Sequence, residues 1–479
     1  MEIRELKPRR IWKHFEALNA IPRASTKEER IIKYMVSFGE SLNLETTVDS
    51  IGNIIIKKPG TRGKEDDKTV VLQGHLDMVH QKTANSNFNF DTQGIQMYID
   101  GDWVKAKETT LGADNGIGVA IIMGVLFSND IEHPPIEALF TIDEEMGMTG
   151  AMALKSDQLT GEILLNLDSE EDDEITIGCA GGVDVKIDGL YNLETLNGDY
   201  QYYEITVNGL NGGHSGVDIH LNFGNAIRVF TKYLHVLNKD IDVHISMINC
   251  GELTNVIPRF CLGTIAVKKE DTSKFEALSN STIKSIKTEY ATTDEDLSIN
   301  AKPLNGSFFV AEQSFSSQLL SAIQTMPNGV FSMTEGMGNL VQTSNNIAKI
   351  NMQDGIFNIA CHTRSSVDAE RSEVVRKIKE SFPFGHVKEI GSYPGWEPKP
   401  NSTILNIAKK CYKKLHKKEP LVKSIHAGLE CGILSGIYPN LEMISIGPNI
   451  LGAHSPEERL QISSTQKFWN FLVELLKEL

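Results

Sequence analysis

Apolar and polar positions follow two distinct periods along this chain, and the order of those periods predicts the architecture. Residues 9–20 and 27–40 carry apolar side chains at helical spacing, whereas GNIIIKK and KTVVLQGHLD read as strands. GIGVAIIMGVLF is apolar on every side and reads as a buried helix, far shorter than the roughly 20 residues of a membrane span. PIEALFTID and EILLNLD follow as strands. This alternation, sustained to about residue 182, predicts an α/β class with helices on a largely parallel central sheet. From about 188 to 395 the pattern changes: YYEITVNGL, CLGTIAVKK and FNIACHTRS are strand-like, and NAIRVFTKYLHVL and AERSEVVRKIKESF helix-like. That block reads as a separate α+β domain. The first pattern resumes near 396 with a helix at ILNIAKKCYKKLHKK, a strand at LEMISIGP and a terminal helix at TQKFWNFLVELLKEL. The expected division is a discontinuous domain over 1–186 and 396–479, with an insertion over 187–395.

At 479 residues the chain exceeds the size at which one core keeps growing, and 40% hydrophobic with 23% charged residues is ordinary globular composition. A net charge of −16 and a pI near 5.3 exclude nucleic acid and anionic membrane as natural partners, leaving a small solute. The opening MEIRELKPRRIWKHFEALNAI mixes charges through an amphipathic helical pattern, unlike a secretory signal, which predicts a cytoplasmic location. Six widely spaced cysteines without a CxxC pair (Cys179, Cys250, Cys261, Cys361, Cys411, Cys431) are expected as reduced core thiols.

The chemistry sits where apolar runs end. ALFTIDEEMG places Asp143, Glu144 and Glu145 together at the end of an apolar strand, where neighbouring carboxylates need a compensating charge. In VVLQGHLDMVH, His75 and Asp77 lie two apart and point to one side of an extended backbone. Asp114 falls in the glycine-bracketed turn LGADNGIG before the apolar helix, Asp168 follows ILLNL, and His454 lies in the loop GPNILGAHSPEER. Taken singly these are a satisfied polar pair, a turn or cap, a strand-end turn and a loop histidine. Taken together, two imidazoles and three carboxylates at element ends of one α/β unit form a thiolate-free ligand set. It suits two divalent ions, zinc first, with manganese or cobalt possible in the same cage. One glutamate suffices as a ligand, which frees the other to take a proton from water. GADNGIG does not suit a nucleotide phosphate, because its aspartate would oppose the anion where backbone amides are wanted.

The segments GHLDMV, LGADNGIG, DEEMG, NLDSE and GAHSPEER resemble those of the co-catalytic zinc metallopeptidases that include aminoacylases and carboxypeptidase G, and most closely its bacterial Xaa-His dipeptidase branch. The resemblance extends through GGHSG, TNVIPR, HTRSS and HAGLECG, and so covers nearly the whole chain. It implies that His75 and Asp168 hold one metal, Glu145 and His454 the other, and that Asp114 bridges them, with a cis peptide bond after Asp114. It implies that Asp77 orients His75 and that Glu144 is the general base, activating a metal-bridging water. On the insertion it implies an oxyanion donor at His214, substrate contacts from Asn255 and Gly428, and a carboxylate clamp at Arg364; His220, close to His214, stays open as an alternative donor. The implied reaction is hydrolysis of dipeptides, Xaa-His preferred and β-alanyl-histidine included, by a homodimeric enzyme. An aminoacylase, tripeptidase or other exopeptidase on the same site is the alternative. Since Asp168 and His454 must meet, the chain between them leaves the catalytic domain and returns, so the insertion is expected to be a lid.

Overall fold

The computed structural model of the chain describes residues 2–335 and 340–479. It divides into two compact units, one of 1–178, 396–424 and 429–479, the other of 179–395 and 425–428. The expected boundary at 186/187 falls inside the strand Gly181–Leu190, which belongs wholly to the second unit. The change of unit falls at 178/179, inside the preceding strand Glu174–Cys179, so it coincides with no loop that a sequence pattern would mark. The four residues 425–428, expected with the catalytic unit, also group with the second.

The first unit is built on an eight-stranded mixed sheet. Its centre is parallel: Ile136–Thr141, Val70–His75, Ile163–Asn166 and Glu442–Ser445 run side by side in one direction. The first three are buried at every position, as strands covered on both faces must be, which explains why they are mostly apolar. Helices Arg9–Asn19 and Ala113–Phe127 pack against each other, the first showing Ile11, Trp12, Phe15 and Leu18 to the core and the second burying almost every residue. A small four-stranded sheet, absent from the sequence reading, joins Ile450–Leu451 and Arg459–Gln461 to Trp103–Ala106 and Met97–Asp100. It matters for position: the loop carrying His454 and the segment leading to Asp114 both spring from it.

The second unit is an antiparallel nine-stranded sheet bearing helices Ala226–Leu237, Thr272–Glu289, Gln313–Thr325 and Asp368–Ser381. Its core is one continuous cluster that includes Phe230, Tyr233, Ile265, Leu319, Ile350 and Phe357. Contrary to the expectation of six reduced thiols, Cys250 and Cys261 are joined in a disulfide. They face each other in register on adjacent strands, an arrangement that an eleven-residue separation does not disclose. The other four cysteines are buried.

Candidate metal centre

In parallel sheets reactive groups gather where strands end at their carboxyl edge. Val70–His75 ends on His75 itself, Ile136–Thr141 runs into Glu144 and Glu145, and Ile163–Asn166 is followed at once by Asp168. Because these strands are neighbours, their ends deliver the side chains to one place. Asp114 enters from the start of Ala113–Phe127, and His454 from the loop between Ile450–Leu451 and Arg459–Gln461.

Asp114 lies between two imidazoles. Its Oδ1 is 3.1 Å from His75 Nε2 and its Oδ2 is 3.1 Å from His454 Nε2. Asp168 Oδ1 lies 3.4 Å from His75 Nε2, and Glu145 Oε2 lies 3.0 Å from His454 Nε2. Among the described residues these side chains form overlapping groups able to hold a metal ion: His75, Asp114 and Asp168; Asp114, Glu145 and His454; and His75, Glu144 and Glu145. The donor chemistry fits divalent cations, and so does Glu145 Oε1, which is buried without a hydrogen-bond partner among the described residues. The peptide bond between Asp114 and Asn115 is cis, and the Asn115 amide donates to Leu167 O at 2.6 Å. Its oxygen accepts from the His75 N–H at 3.3 Å, so one side chain ties three ligand-bearing segments.

The imidazoles and carboxylates shift one another strongly. Hydrogen bonds that His454 donates to Asp114 and Glu145 push its pKa up to about 11. Burial works against a charged His75, but the Asp168 charge and bonds to Asp114, Asp168 and Asp77 overcome it and raise its pKa. Burial would raise Asp114 too, yet hydrogen bonds from both histidines hold it well below the ordinary carboxylate range. Asp168 is pushed up to about 7 and Glu144 rises well above its usual value, each chiefly by burial, with neighbouring carboxylates adding to it.

Asp77 does more than face His75 Nδ1 at 3.3 Å. Its Oδ1 accepts the Glu144 N–H at 3.1 Å, and its Oδ2 accepts the Glu145 N–H at 3.3 Å and the Ser25 hydroxyl at 2.8 Å. One fully buried carboxylate thus fixes both the first imidazole and the turn that carries the two glutamates.

The residues expected on the insertion collect in the second unit. His214 is half-buried, and its Nδ1 accepts the N–H groups of Gly216 at 3.1 Å and Val217 at 3.0 Å. That leaves the ring proton on Nε2, a free donor. Burial and the Arg364 charge lower the His214 pKa, which keeps the ring neutral. His220 is exposed instead. Arg364 is 6% exposed, and its buried Nε lacks a partner among the described residues. The Asn255 side chain is exposed, although its carbonyl accepts the Ser215 N–H at 2.8 Å, and Gly428 is half-buried. His426, which sequence reading left without a role, lies 2.7 Å through Nε2 from Ser344 Oγ, and burial drops its pKa to about 3.

Three buried charges beside the centre escaped sequence reading. Glu430, pushed up to about 7 by burial, accepts from Gln73 Nε2 at 2.6 Å and Thr141 Oγ1 at 2.7 Å. Arg23 and Glu458 bond mainly to backbone atoms. The available signal was the nearness of Glu458 to His454 in GAHSPEER.

The model of peptidase family M20/M25/M40 matches residues 71–478. The chain belongs to that family. It is 37% identical over 480 residues to the cytosol non-specific dipeptidase of Escherichia coli (strain K12), covering 100% of this chain and 99% of that one. The crystal structure of aminoacylhistidine dipeptidase from Vibrio alginolyticus superposes with a TM-score of 0.95 at 38% identity, covering 100% and 98% of the two chains. An aminopeptidase PepT structure from Bacillus cereus shares the fold, with a TM-score of 0.57 at 16% identity and 99% of each chain covered. The M20/M25/M40 match takes in all the candidate ligand segments described above, from His75 to His454.

Proposed function

We propose that this M20/M25/M40 peptidase holds two divalent cations at the Asp114 cluster, zinc first and manganese or cobalt as alternatives, and hydrolyses dipeptides with a preference for Xaa-His. The observation that carries the reading is Asp114, whose two oxygens each face a different imidazole at 3.1 Å with a glutamate to spare. Cations held there polarise the scissile carbonyl and acidify water. His75 and Asp168 serve one position, Glu145 and His454 the other, and Asp114 both. Glu144, raised in pKa by burial, is poised to take the proton of the attacking water and pass it to the leaving amine. Asp77 holds His75 and the Glu144 turn in register.

The second unit acts as the lid. His214, with its donor nitrogen fixed as Nε2–H, bonds the developing oxyanion, a contact whose loss costs on the order of a hundredfold or more. Arg364 receives the substrate's free carboxylate, and Asn255 and Gly428 line its backbone. A cytosolic homodimer completes the proposal. The relatives' names pull in two directions, non-specific in one and aminoacylhistidine in the other, so the substrate range is the point to test.

The test is hydrolysis of β-alanyl-histidine, α-dipeptides with and without a C-terminal histidine, a tripeptide and an N-acetylated amino acid, before and after chelation and with zinc or manganese restored. Chelator-sensitive cleavage of dipeptides, Xaa-His fastest, is expected. Cleavage of only the tripeptide or the acylated amino acid would transfer the site to the aminoacylase or tripeptidase reading.

A further inference from the structure

Glu458 lies on the His454 loop, 2% exposed, and none of the ligand groups uses it. Its carboxylate receives four consecutive backbone amides. Oε2 accepts from Leu111 N at 2.7 Å and Gly112 N at 3.0 Å, and Oε1 from Ala113 N at 2.7 Å and Asp114 N at 3.2 Å. Successive N–H groups converge on one point only when the chain curls into a nest, and an anion is what such a nest suits. Each oxygen takes two donors.

The other side of the same curl is gripped by a cation. Arg23, also 2% exposed, donates through Nη2 to Gly112 O at 2.5 Å and through Nη1 to Leu76 O at 3.1 Å and Asp77 O at 2.8 Å. Asn19 Oδ1 steadies the guanidinium at 3.0 Å. Glycine is required at the point of approach. Gly112 has φ +67°, and a Cβ there would lie 2.6 Å from both Arg23 Nη2 and Met78 Sδ. One at Gly116 would lie 2.4 Å from the same nitrogen.

We infer that Arg23 and Glu458 are positioning residues that clamp the Leu111–Asp114 curl from its carbonyl and amide sides, setting Asp114 between His75 and His454 before any cation binds. The inference rests on the two-cation reading. Glu458 ties the curl to the His454 loop, and Arg23 ties it to the end of the His75 strand. Neither side chain touches substrate or cation; they act through Asp114, the one residue common to both halves of the centre.

Two experiments test the clamp. On the unmodified, metal-free chain, hydrogen exchange at the amides of residues 111–114 is expected to be as slow as in the strand Val70–His75. Exchange at exposed-loop rates, slowed only by added zinc, would overturn the inference without any variant being made. In the second, Glu458→Gln and Arg23→Lys are titrated with zinc against a chromophoric chelator, and their manganese forms are examined by electron paramagnetic resonance. Gln must turn an NH₂ toward two of the four amides, and Lys cannot span three carbonyls. Weakening of cation binding by about 10–100-fold, with loss of the exchange-coupled dimanganese signal, is expected. Wild-type affinities and signal in both variants would overturn the clamp and leave the metal centre standing. A wild-type chain that takes up no second cation would instead defeat the two-cation reading.

Discussion

Asp77→Asn separates the charge of the most heavily used carboxylate in the site from its shape. The asparagine oxygen can keep the place of Oδ1, facing His75 Nδ1 and accepting the Glu144 N–H, while its NH₂ takes the place of Oδ2. There the Ser25 hydroxyl can turn to accept, but the Glu145 N–H meets a donor and loses its partner. One buried unpaired donor costs about 1–3 kcal/mol of stability. His75 also loses the anion that fixes its tautomer, a change that typically costs about 10–100-fold in metal affinity or activity, or about 1.4–2.7 kcal/mol. Asp77→Ala strands both backbone donors, doubling the stability cost to about 2–6 kcal/mol. Urea unfolding of the metal-free variants gives the first quantity, and zinc competition together with kcat/KM for a dipeptide gives the second. An Asp77→Asn protein with wild-type zinc affinity and wild-type kcat/KM would refute the reasoning, because among the described residues His75 Nδ1 faces no other carboxylate able to take over.

Three further outcomes are expected. His14 packs edge-on to Phe38 and Phe127, and burial lowers its pKa from 6.5 to about 4. The unfolded chain therefore binds the extra proton first, and stability present above pH 6.5 is lost as pH falls toward 4, by about 3 kcal/mol in all. His14→Phe should flatten that slope in pH-dependent unfolding, and an unchanged slope would count against it. A Cβ at Gly118 would lie 2.3 Å from Leu167 O and 2.7 Å from Asn115 Oδ1, so Gly118→Ala should cost about 1–3 kcal/mol in thermal unfolding and weaken zinc binding through Asn115. Arg364→Lys should raise KM for free dipeptides with little change in kcat, and have almost no effect on a C-terminally amidated dipeptide; equal effects on both would remove the carboxylate from its role.

Much of this was legible in the residues, for a physical reason. His75, Glu144, Glu145 and Asp168 sit at or just past the ends of mostly apolar runs, where a buried parallel strand leads into the carboxyl edge of the sheet. His454 was harder, since a loop histidine has no pattern around it, and it became readable only with the other ligands in view. Glu458 had only its nearness to His454 as a signal, and Arg23 had none, because their partners are mainly backbone amides and carbonyls, which every residue has. The small sheet that carries the His454 and Asp114 loops was missed because its strands are only two to four residues long. The Cys250–Cys261 bond depends on strand register, and the unit boundary falls inside a strand rather than at a loop.

The central claim is that the Asp114 cluster is a two-cation hydrolytic site from which Glu144 stands apart as the base. The most direct test is the metal content of the wild-type chain and of Glu144→Gln, measured on the same samples as dipeptide turnover. The account predicts about two cations per chain in both proteins, with turnover in the variant lower by about 10²–10⁴-fold. A Glu144→Gln protein that keeps both its cations and its full turnover would contradict it, as would a wild-type chain that cleaves dipeptides at full rate with no metal bound.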